Sequence, residues 1–526
     1  MPRASGVLLH PTSFPGRHGI GDLGHDAFRF VDWLVAGGQR LWQILPLNPI
    51  GPGNSPYASP SAFAGNPLLV SLDWLAGDGL LDPWQVDEHP AFPDHEVDFA
   101  AVSAYKHDRL RVAHARARAR DDAAEQERFA AFRAAQADWL DDYALFLSLK
   151  DEHGGAVWTS WEGKYAQRNP AALKAARARL ASDVDFHAWV QYQFRRQWSE
   201  LRRYANERDV RIVGDIPIFV AHDSADVWAH QKLFRLDAHG QATVVSGVPP
   251  DAFTDQGQLW GNPMYDWPAN AASGYAWWIG RVRAALDLVD LIRIDHFRGF
   301  LAAWTVPAGA PTAASGRWER GPGEAIFDAM RASLGSLPFI VEDLGLITPD
   351  VTALRRGLGL PGMKVLQFAF DSGPENAYLP HTYERNCVAY PATHDNQTTV
   401  GWFHALRPDV RQNVQRYLGN DGSDIAWDFV RLALASVADR AVVPLQDVMR
   451  LGDEARMNTP GRAHGNWGWR YQDHQLHPGL AAGLGELAEA YGRRATPGPR
   501  GVSPFDYTAT DSPHPLFEPS APRAGT

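Results

Sequence analysis

Three carboxylate residues stand where short apolar runs end. Asp295 lies in the string LIRIDHFRG, Glu342 in FIVEDLG and Asp395 in ATHDNQ. Cleavage of a glycosidic bond uses two carboxyl groups, and a retaining enzyme holds them about 5–5.5 Å apart. One strand cannot easily direct two carboxylates at the same atom, whereas neighbouring strands can. The three positions therefore predict a site that cleaves glycosidic bonds.

The neighbours of these carboxylates predict that two of them carry different charges. Arg293 and Asp295 are two residues apart, so on a strand their side chains project from the same side. A fixed guanidinium beside Asp295 favours its ionised form, which a nucleophile needs. Glu342 has to stay protonated until it donates a proton, and the charges of Asp295 and Asp395 are expected to raise its pKa.

Two histidines beside these carboxylates admit two interpretations. His296 and His394 could donate hydrogen bonds to sugar hydroxyls near the cleaved bond. The same neighbourhood could instead bind a metal ion in a barrel metallohydrolase, with ligands from Asp215, Asp295, His296, Glu342, His394 and Asp395. These residues show no HxH or HExxH spacing, and Arg293 would repel a bound cation. A single aspartate at a strand end is more often a helix cap, so the sugar-cleaving interpretation depends on the combination.

The preceding elements have to position these side chains. Eight short apolar runs end in polar or charged residues, a pattern typical of strands buried on both faces of a parallel sheet. Helical patterns lie between many of them, as from Phe28 to Val35 before Gly37. The pattern predicts an α/β fold, a (β/α)8 TIM barrel, with its active site at the carboxyl ends of the strands. The runs are Gly6–Leu9, Leu41–Leu45, Arg211–Val213, Leu288–Ile294, Phe339–Val341, Met363–Phe370, Cys387–Pro391 and Ala441–Leu445.

The uneven spacing of these runs divides the chain. Residues 1–99 and 204–496 are predicted to build the catalytic barrel. Residues 100–203, rich in Ala, Arg, Glu and Leu, are predicted to form an inserted helical subdomain. Another long gap, 244–267, is rich in Pro and Gly and is predicted to be an irregular lid or binding loop. The stretch 497–526 is expected to be an irregular tail.

The composition of the 526 residues favours some partners over others. The net charge of −11 argues against nucleic acid and anionic membranes as partners, because both attract basic surfaces. Cys387 is the single cysteine, which excludes an internal disulfide and favours a reducing compartment. No run of about 18 apolar residues occurs, so a cytoplasmic protein is expected. The 20 tryptophans include candidates for flat surfaces on which sugar rings stack.

Longer strings along the chain resemble one family. They cover most of the chain except the helical region and the tail, and they are LLHPTSFPG, GIGDLG, LWQILPLNP, NSPYASPSAFAGNP, VGDIPIFVA, GVPPDAFTDQGQLWGNPMYDW, RIDHFRGF, VEDLGLITP, GMKVLQFAF, ATHDNQT, PLQDV and NTPGRAHGNWGWR. The strings are similar to those of the amylomaltases, the disproportionating 4-α-glucanotransferases of glycoside hydrolase family 77. The NSPY string, the LWGNP loop and the GNWGWR segment are specific to this family rather than to α-amylases generally.

The resemblance implies a role for each matching residue. Asp295 matches the nucleophile, Glu342 the general acid/base, and Asp395 a third carboxylate that stabilises the distorted sugar ring. The implied substrate-binding residues are Arg293, His296, His394, Asp215, Tyr57, Ser55, Trp260, Gln258, Asp251, Phe253 and Asn466. Among them, Asp215 would grip the donor sugar and Tyr57 would stack at the cleavage point. The stretch 251–260 would lie over the acceptor side, and Asn466 would line the acceptor end.

The resemblance also implies an activity and its partners. The expected activity is transfer of an α-1,4-glucan segment to the 4-hydroxyl of glucose or another glucan, without a cofactor or metal. The expected partners are maltooligosaccharides, starch or glycogen chains and glucose, and the chain is expected to be a monomer or a weak homo-oligomer. The residues alone leave three alternatives open: an α-glucan hydrolase on the same barrel, a glucan-binding protein and a metallohydrolase.

Overall fold

The computed structural model of the protein describes residues 3–250 and 255–494. Its centre is a closed parallel barrel of eight strands, and a separate four-stranded antiparallel sheet lies beside it. The strands are β1 Ala4–Leu8, β2 Leu41–Gln43, β3 Arg211–Pro217, β4 Val244–Val248, β5 Gln258–Pro263, β6 Leu291–Asp295, β7 Ala302–Pro307, β8 Arg317–Arg320, β9 Phe339–Val341, β10 Gly362–Val365, β11 Cys387–Tyr390 and β12 Arg440–Pro444.

Helices separate most of the barrel strands. They are α1 His25–Ala36, α2 Leu72–Gly77, α3 Pro83–Asp87, α4 Phe99–Ala119, α5 Ala123–Ala135, α6 Leu140–Glu152, α7 Gly163–Ala166, α8 Pro170–Arg179, α9 Ala181–Glu207, α10 Ala225–Ala229, α11 Trp267–Ala272, α12 Ala276–Leu286, α13 Glu324–Leu334, α14 Pro349–Gly357, α15 Thr399–Ala405, α16 Pro408–Leu418, α17 Ile425–Ala435, α18 Leu445–Val448 and α19 Pro478–Ala490. Within the described ranges, no helix is both long enough and apolar enough to cross a membrane.

The predicted (β/α)8 barrel is confirmed. Its strands follow the order β1, β12, β11, β10, β9, β6, β3 and β2 around the closed sheet, and all of their pairs are parallel. Each of the eight apolar runs overlaps one of these strands. The runs are continuous rather than alternating because both faces of each strand are covered, by the barrel interior and by the outer helices.

The stretch predicted to be irregular, 244–267, contains regular structure, so that part of the prediction was wrong. Strands β4 and β5 form an antiparallel hairpin, which pairs with β7 and β8 in the small sheet. Pro249, Pro250 and Gly257 lie between the two strands, whereas Gly261 and Pro263 lie within β5. The hairpin has a buried part and an exposed part. Val245 packs against Val306 and Ala313, whereas Leu259 and Trp260 are exposed.

The region 100–203 consists mainly of helices α4 to α9, as its composition indicates. Helix α9 continues to Glu207 and packs both on the other helices of the region and on strand β3. The proposed boundary at residue 203 therefore falls inside a helix. The division into a barrel and an inserted subdomain stays a prediction, and the tail at 497–526 lies outside the described residues.

Candidate active site

The strand register brings Asp215, Arg293 and Asp295 together at the carboxyl ends of β3 and β6. Asp215 is the direct partner of Arg293 across the two strands. Arg293 Nη1 lies 2.6 Å from Asp215 Oδ2 and 3.0 Å from Asp295 Oδ1. The Arg293 side chain is only 3% exposed, so little water screens its charge from the two carboxylates.

Asp215 is part of a buried network rather than an open sugar-binding group. Its side chain is fully buried, and its Oδ2 also accepts a hydrogen bond from the Tyr57 hydroxyl at 2.9 Å. Burial raises the pKa of Asp215, and the positive charge of Arg293 opposes that rise. In this arrangement Asp215 supports Arg293 and Tyr57. A direct contact between Asp215 and the donor sugar stays a prediction.

Tyr57 joins this network to His394. Its ring stacks on the His394 ring with centroids 5.3 Å apart, and its hydroxyl lies 2.9 Å from His394 Nε2. Because the single hydroxyl proton is donated to Asp215, Nε2 of His394 has to be the donor to Tyr57. Burial lowers the pKa of His394, which favours the neutral ring protonated on Nε2.

Glu342 follows β9 directly, and its carboxylate is held by two backbone donors. Its Oε2 accepts a hydrogen bond from His296 N at 2.6 Å, and its Oε1 accepts one from Leu344 N at 3.2 Å. Burial raises the pKa of Glu342 to about 8, and the negative charge of Asp295 adds to the rise. The raised pKa matches the prediction, but its cause differs. Loss of hydration dominates, and Asp395 is not among the main causes.

Asp395 is the most open of the three carboxylates, with 41% of its side chain exposed. Asn458 Nδ2 donates to its Oδ1 at 2.6 Å, and His394 Nε2 lies 3.4 Å from the same oxygen. Sequence reasoning did not single out Asn458. The only signal was its place in the string NTPGRAHGNWGWR, because the loop that carries it meets Asp395 only in the folded chain.

The β4–β5 hairpin reaches the site through Trp260. The Trp260 ring stands edge to face on the His296 ring, with centroids 4.8 Å apart, and its Nε1 donates to Gln258 Oε1 at 3.2 Å. Burial lowers the pKa of His296 to about 4, so this ring is uncharged near neutral pH. The hairpin thus covers the residue that follows Asp295. Asp251 and Phe253, predicted for the same stretch, lie outside the described residues.

Ser55 and Asn466 lie in turns near the site. Ser55 Oγ accepts a hydrogen bond from Tyr57 N at 3.2 Å. Asn466 uses both ends of its amide within its own loop, accepting from Thr459 N at 2.9 Å and donating to Arg462 O at 2.9 Å. In this arrangement both residues shape the loops beside the site, and their contact with a sugar stays a prediction.

Trp467 is a second residue that sequence reasoning did not single out. Its ring lies 5.6 Å from the Tyr57 ring and 6.0 Å from the His394 ring, centroid to centroid. Trp467 is buried and has a left-handed backbone, with a φ of 69°. Trp467 packs against the stacked pair of Tyr57 and His394. Its local signal was again the GNWGWR string.

The described part of the chain brings no three His, Cys, Asp or Glu side chains into an arrangement that could hold a metal ion. The described site residues instead form a continuous series of contacts from Asp295 through Arg293, Asp215, Tyr57 and His394 to Asp395, with Glu342 on the neighbouring strand. Two carboxyl groups on neighbouring strands are the arrangement that cleavage of a glycosidic bond uses.

Comparison with known proteins agrees with this geometry. Residues 9–476 match the sequence model of glycoside hydrolase family 77, described as 4-alpha-glucanotransferase. The chain is 51% identical over 498 residues to a 4-alpha-glucanotransferase of Synechocystis sp., covering 94% of this chain and 98% of the relative. It is 49% identical over 498 residues to the 4-alpha-glucanotransferase of Thermus thermophilus, covering 93% and 99% of the two chains.

Solved structures show the same similarity. The amylomaltase from Streptococcus agalactiae in complex with acarbose is 36% identical, with a TM-score of 0.91 over 94% of this chain and 100% of that one. The amylomaltase from Corynebacterium glutamicum is 19% identical, with a TM-score of 0.74 over 94% of this chain and 75% of that one. The second similarity supports the fold alone.

Proposed function

Since this chain belongs to glycoside hydrolase family 77 and is a 4-α-glucanotransferase, we propose that Asp295, Glu342 and Asp395 carry its reaction as a retaining double displacement. The observation that carries this assignment is that Asp295 ends β6 and Glu342 directly follows β9, the strand paired with β6. Asp295 lies 3.0 Å from a buried guanidinium nitrogen, whereas Glu342 has a pKa of about 8. Burial thus favours the protonated form of Glu342, which a general acid needs.

In the first half of the reaction, Asp295 attacks the anomeric carbon of the donor glucan. The bond from that carbon to the leaving oxygen breaks, and Glu342 gives its proton to this oxygen. The products of this half are a glycosyl ester on Asp295 and a shortened glucan with a free 4-hydroxyl. We assign to Asp395, which accepts a hydrogen bond from Asn458, the role of holding hydroxyls of the distorted sugar ring.

In the second half, the 4-hydroxyl of an acceptor sugar attacks the same carbon. Glu342, now ionised, takes the hydroxyl proton, and the ester bond to Asp295 breaks. Both carboxyl groups return to their starting states, and the configuration of the anomeric carbon is retained. Transfer prevails over hydrolysis because a bound, oriented acceptor reacts at an effective molarity that can reach about 10⁵–10⁸ M.

The substrates are α-glucans, and their finer identity is part of the proposal. The Streptococcus agalactiae relative binds acarbose. We assign maltooligosaccharides and the outer chains of starch or glycogen as donors to this chain, with glucose or another glucan as acceptor. The stacked rings of Tyr57 and His394 and the covering Trp260 supply the aromatic surfaces that such sugars need.

The assignment of the two carboxylates can be tested by chemical rescue. The Glu342→Ala and Asp295→Ala variants are each given α-maltotriosyl fluoride, a donor that needs no acid, together with sodium azide. With Glu342→Ala, azide is expected to attack the glycosyl ester and yield the α-azide. With Asp295→Ala, azide replaces the nucleophile and the β-azide is expected. An α-azide from the Asp295→Ala variant would show that another residue is the nucleophile.

A further inference from the structure

The residue after Glu342, Asp343, is a buried carboxylate to which sequence reasoning gave no role. Only 11% of its side chain is exposed, and each of its oxygens has a partner. Its Oδ1 accepts a hydrogen bond from Met363 N at 2.7 Å, and its Oδ2 lies 3.1 Å from Arg355 Nε. Burial of a carboxyl group is costly unless the group is paired and hydrogen-bonded, so these contacts hold Asp343 in one position.

Asp343 joins the chain beyond β9 to strand β10. The register pairs Val341, the last residue of β9, with Gly362, and Val341 N donates to Pro361 O at 3.0 Å. Met363 is the next residue of β10, and its N–H donates to the Asp343 carboxylate. This bond fixes the segment that carries Glu342 to the neighbouring strand after the pairing of the two strands has ended.

Gly362 leaves the space that this carboxylate occupies. A Cβ atom added to Gly362 would lie 2.7 Å from the carboxyl carbon of Asp343 and closer still to both of its oxygens. Packed side-chain atoms do not approach one another so closely, so the carboxylate lies directly over the Gly362 backbone. Any larger residue at position 362 would push the carboxylate away from Met363 N.

Arg355 holds Asp343 from helix α14. Its side chain is only 5% exposed, and its Nη1 donates to Leu360 O at 3.1 Å. Its Nη2 bonds to Glu384, whose side chain is 34% exposed. The guanidinium therefore connects the residue after Glu342 with two other segments of the chain.

The position of Asp343 determines the direction of the N–H group that follows it. The peptide unit between Asp343 and Leu344 is planar, so it turns as one body. Its N–H, on Leu344, donates to Glu342 Oε1 at 3.2 Å, while His296 N donates to Oε2 at 2.6 Å. Two backbone donors thus aim the Glu342 carboxyl group, and Asp343 belongs to the peptide unit that carries one of them.

We propose that Asp343 is a positioning residue for Glu342, because it fixes the peptide N–H that aims the general acid at the leaving oxygen. This inference rests on the proposed role of Glu342. Without the Asp343 carboxylate, Glu342 loses its fixed direction and one of the two donors to its ionised form. Loss of that donor raises the pKa of Glu342 further.

Asp343→Ala tests this role with two donors that differ in their need for an acid. Release of fluoride from α-maltotriosyl fluoride needs no proton, whereas cleavage of maltotriose does. Asp343→Ala is expected to lower kcat/KM for maltotriose by about 100-fold, as a misaligned catalytic group does, and to change kcat/KM for fluoride release far less. The fall of kcat/KM for maltotriose at alkaline pH is expected to move to higher pH than in the unaltered protein.

Asp447→Ala is the matched control, because it removes another buried carboxylate that follows a barrel strand. Asp447 is fully buried and accepts hydrogen bonds from Thr399 N and Thr399 Oγ1, both at 2.8 Å. Thr399 is not among the proposed catalytic or substrate-binding residues. General loosening of the barrel in this variant is expected to lower kcat/KM for both donors equally and to leave the alkaline limit in place.

An equal loss on both donors in Asp343→Ala, with the alkaline limit in place, would overturn the proposal. If circular dichroism shows that Asp343→Ala does not fold, Gly362→Ala is measured instead, because its methyl group displaces the carboxylate while Asp343 remains. The same two outcomes then decide. Glu342→Ala on the same donors separates this inference from the proposed function. An equal loss on both donors in that variant would contradict the general acid itself rather than the role of Asp343.

Discussion

The hydroxyl of Tyr57 connects the two halves of the active site. It donates to the buried carboxylate of Asp215 and lies within hydrogen-bond distance of His394 Nε2. Asp215 in turn holds Arg293, which lies beside the proposed nucleophile Asp295. One proton on a tyrosine thus influences both the guanidinium beside Asp295 and the tautomer of the histidine beside Asp395.

We therefore predict that Tyr57→Phe lowers kcat/KM by about tenfold or more, the equivalent of roughly 1.4 kcal/mol or more in the activation barrier. The ring stays and keeps its stacking, but His394 loses the acceptor that fixes its Nε2 proton, and Asp215 loses one donor. The loss of a bond to a charged group is also expected to lower the free energy of unfolding by about 1.5–3 kcal/mol. Steady-state kinetics and urea unfolding measure the two effects.

Tyr390→Phe is the matched control. Tyr390 is fully buried in the barrel, and its hydroxyl donates to Gln43 Oε1 at 2.7 Å. Removing this hydroxyl costs stability in the same way, but its hydrogen-bond partner Gln43 is not among the proposed catalytic or substrate-binding residues. An equal fall of kcat/KM in both variants would show that the barrel is merely loosened, and it would remove the special role of Tyr57.

The pKa of Glu342 predicts an alkaline limit to activity. Burial and the charge of Asp295 raise this pKa to about 8, and only the protonated carboxyl can donate to the leaving oxygen. As pH rises through about 8 the acid is lost, so kcat/KM for maltotriose is expected to fall above this pH. A pH profile of kcat/KM reports the pKa of the free enzyme and measures the limit directly.

The leaving group provides the control for this prediction. With α-maltotriosyl fluoride as donor, fluoride leaves without a proton, so the first half of the reaction should not show the fall near pH 8. If the fall persists with the fluoride, another group that titrates near this pH controls the rate. If maltotriose shows no fall up to pH 9.5, Glu342 is not the acid.

At the level of elements, we propose that the β4–β5 hairpin controls the acceptor. It belongs to the small sheet rather than to the barrel, yet its Trp260 contacts His296 next to Asp295. A rigid sheet holds an aromatic side chain in place better than a loop does. We infer that the hairpin excludes water from the glycosyl ester and orients the acceptor sugar.

Trp260→Ala is accordingly predicted to raise hydrolysis relative to transfer several-fold. Leu259→Ala is the control, because Leu259 is similarly exposed and side chains on a strand alternate between its two faces. Incubation with maltotriose followed by counting reducing ends separates the reactions, since transfer keeps their number constant. A ratio that is unchanged in Trp260→Ala, or raised equally in both variants, would remove this role of the hairpin.

The elements differ in how far the sequence could predict them. The barrel strands could be predicted because strands buried on both faces are continuous apolar runs, and the polar residue that ends each run marks the catalytic face. The hairpin was misjudged because Pro249, Pro250 and Gly257 signal a turn, and because β4 also pairs with β7, whose partner residues lie 57 or more positions away along the chain. Local patterns do not contain that pairing.

The same distinction applies to the site. Arg293 and Asp295 could be paired from their spacing on one strand, and the geometry brings them together. Asn458 could not be assigned to Asp395, because the two residues are 63 positions apart along the chain and only folding brings them together. The hydrogen-bond network around Asp215 was not predicted for a related reason. Tyr57, which donates a hydrogen bond to Asp215, lies in a different segment of the chain.

At the scale of the whole molecule, helix α9 ties the helical region to the barrel. Gln191 pairs with the backbone of Gly65 through both ends of its amide, at 2.7 and 2.9 Å, as a neighbouring strand would. Gln197 pairs with Ser71 in the same way, at 2.7 and 3.2 Å. These glutamines support the segment that begins with Tyr57, so we expect the helical region and the barrel to unfold together.

Gln191→Met and Gln193→Met form a matched pair that tests this expectation. Gln191→Met leaves the buried N–H and C=O of Gly65 without their hydrogen-bond partner. This is expected to lower the free energy of unfolding by about 1–3 kcal/mol for each group. Gln193 is equally buried, but neither end of its amide has a partner in the described part of the chain, so Gln193→Met should be neutral or stabilising.

Urea unfolding is followed by circular dichroism for the helices and by tryptophan fluorescence. If the molecule is one cooperative unit, Gln191→Met shifts both transitions equally. Two separate transitions, with only the helical one shifted, would instead show that the region near 100–203 folds as an independent subdomain.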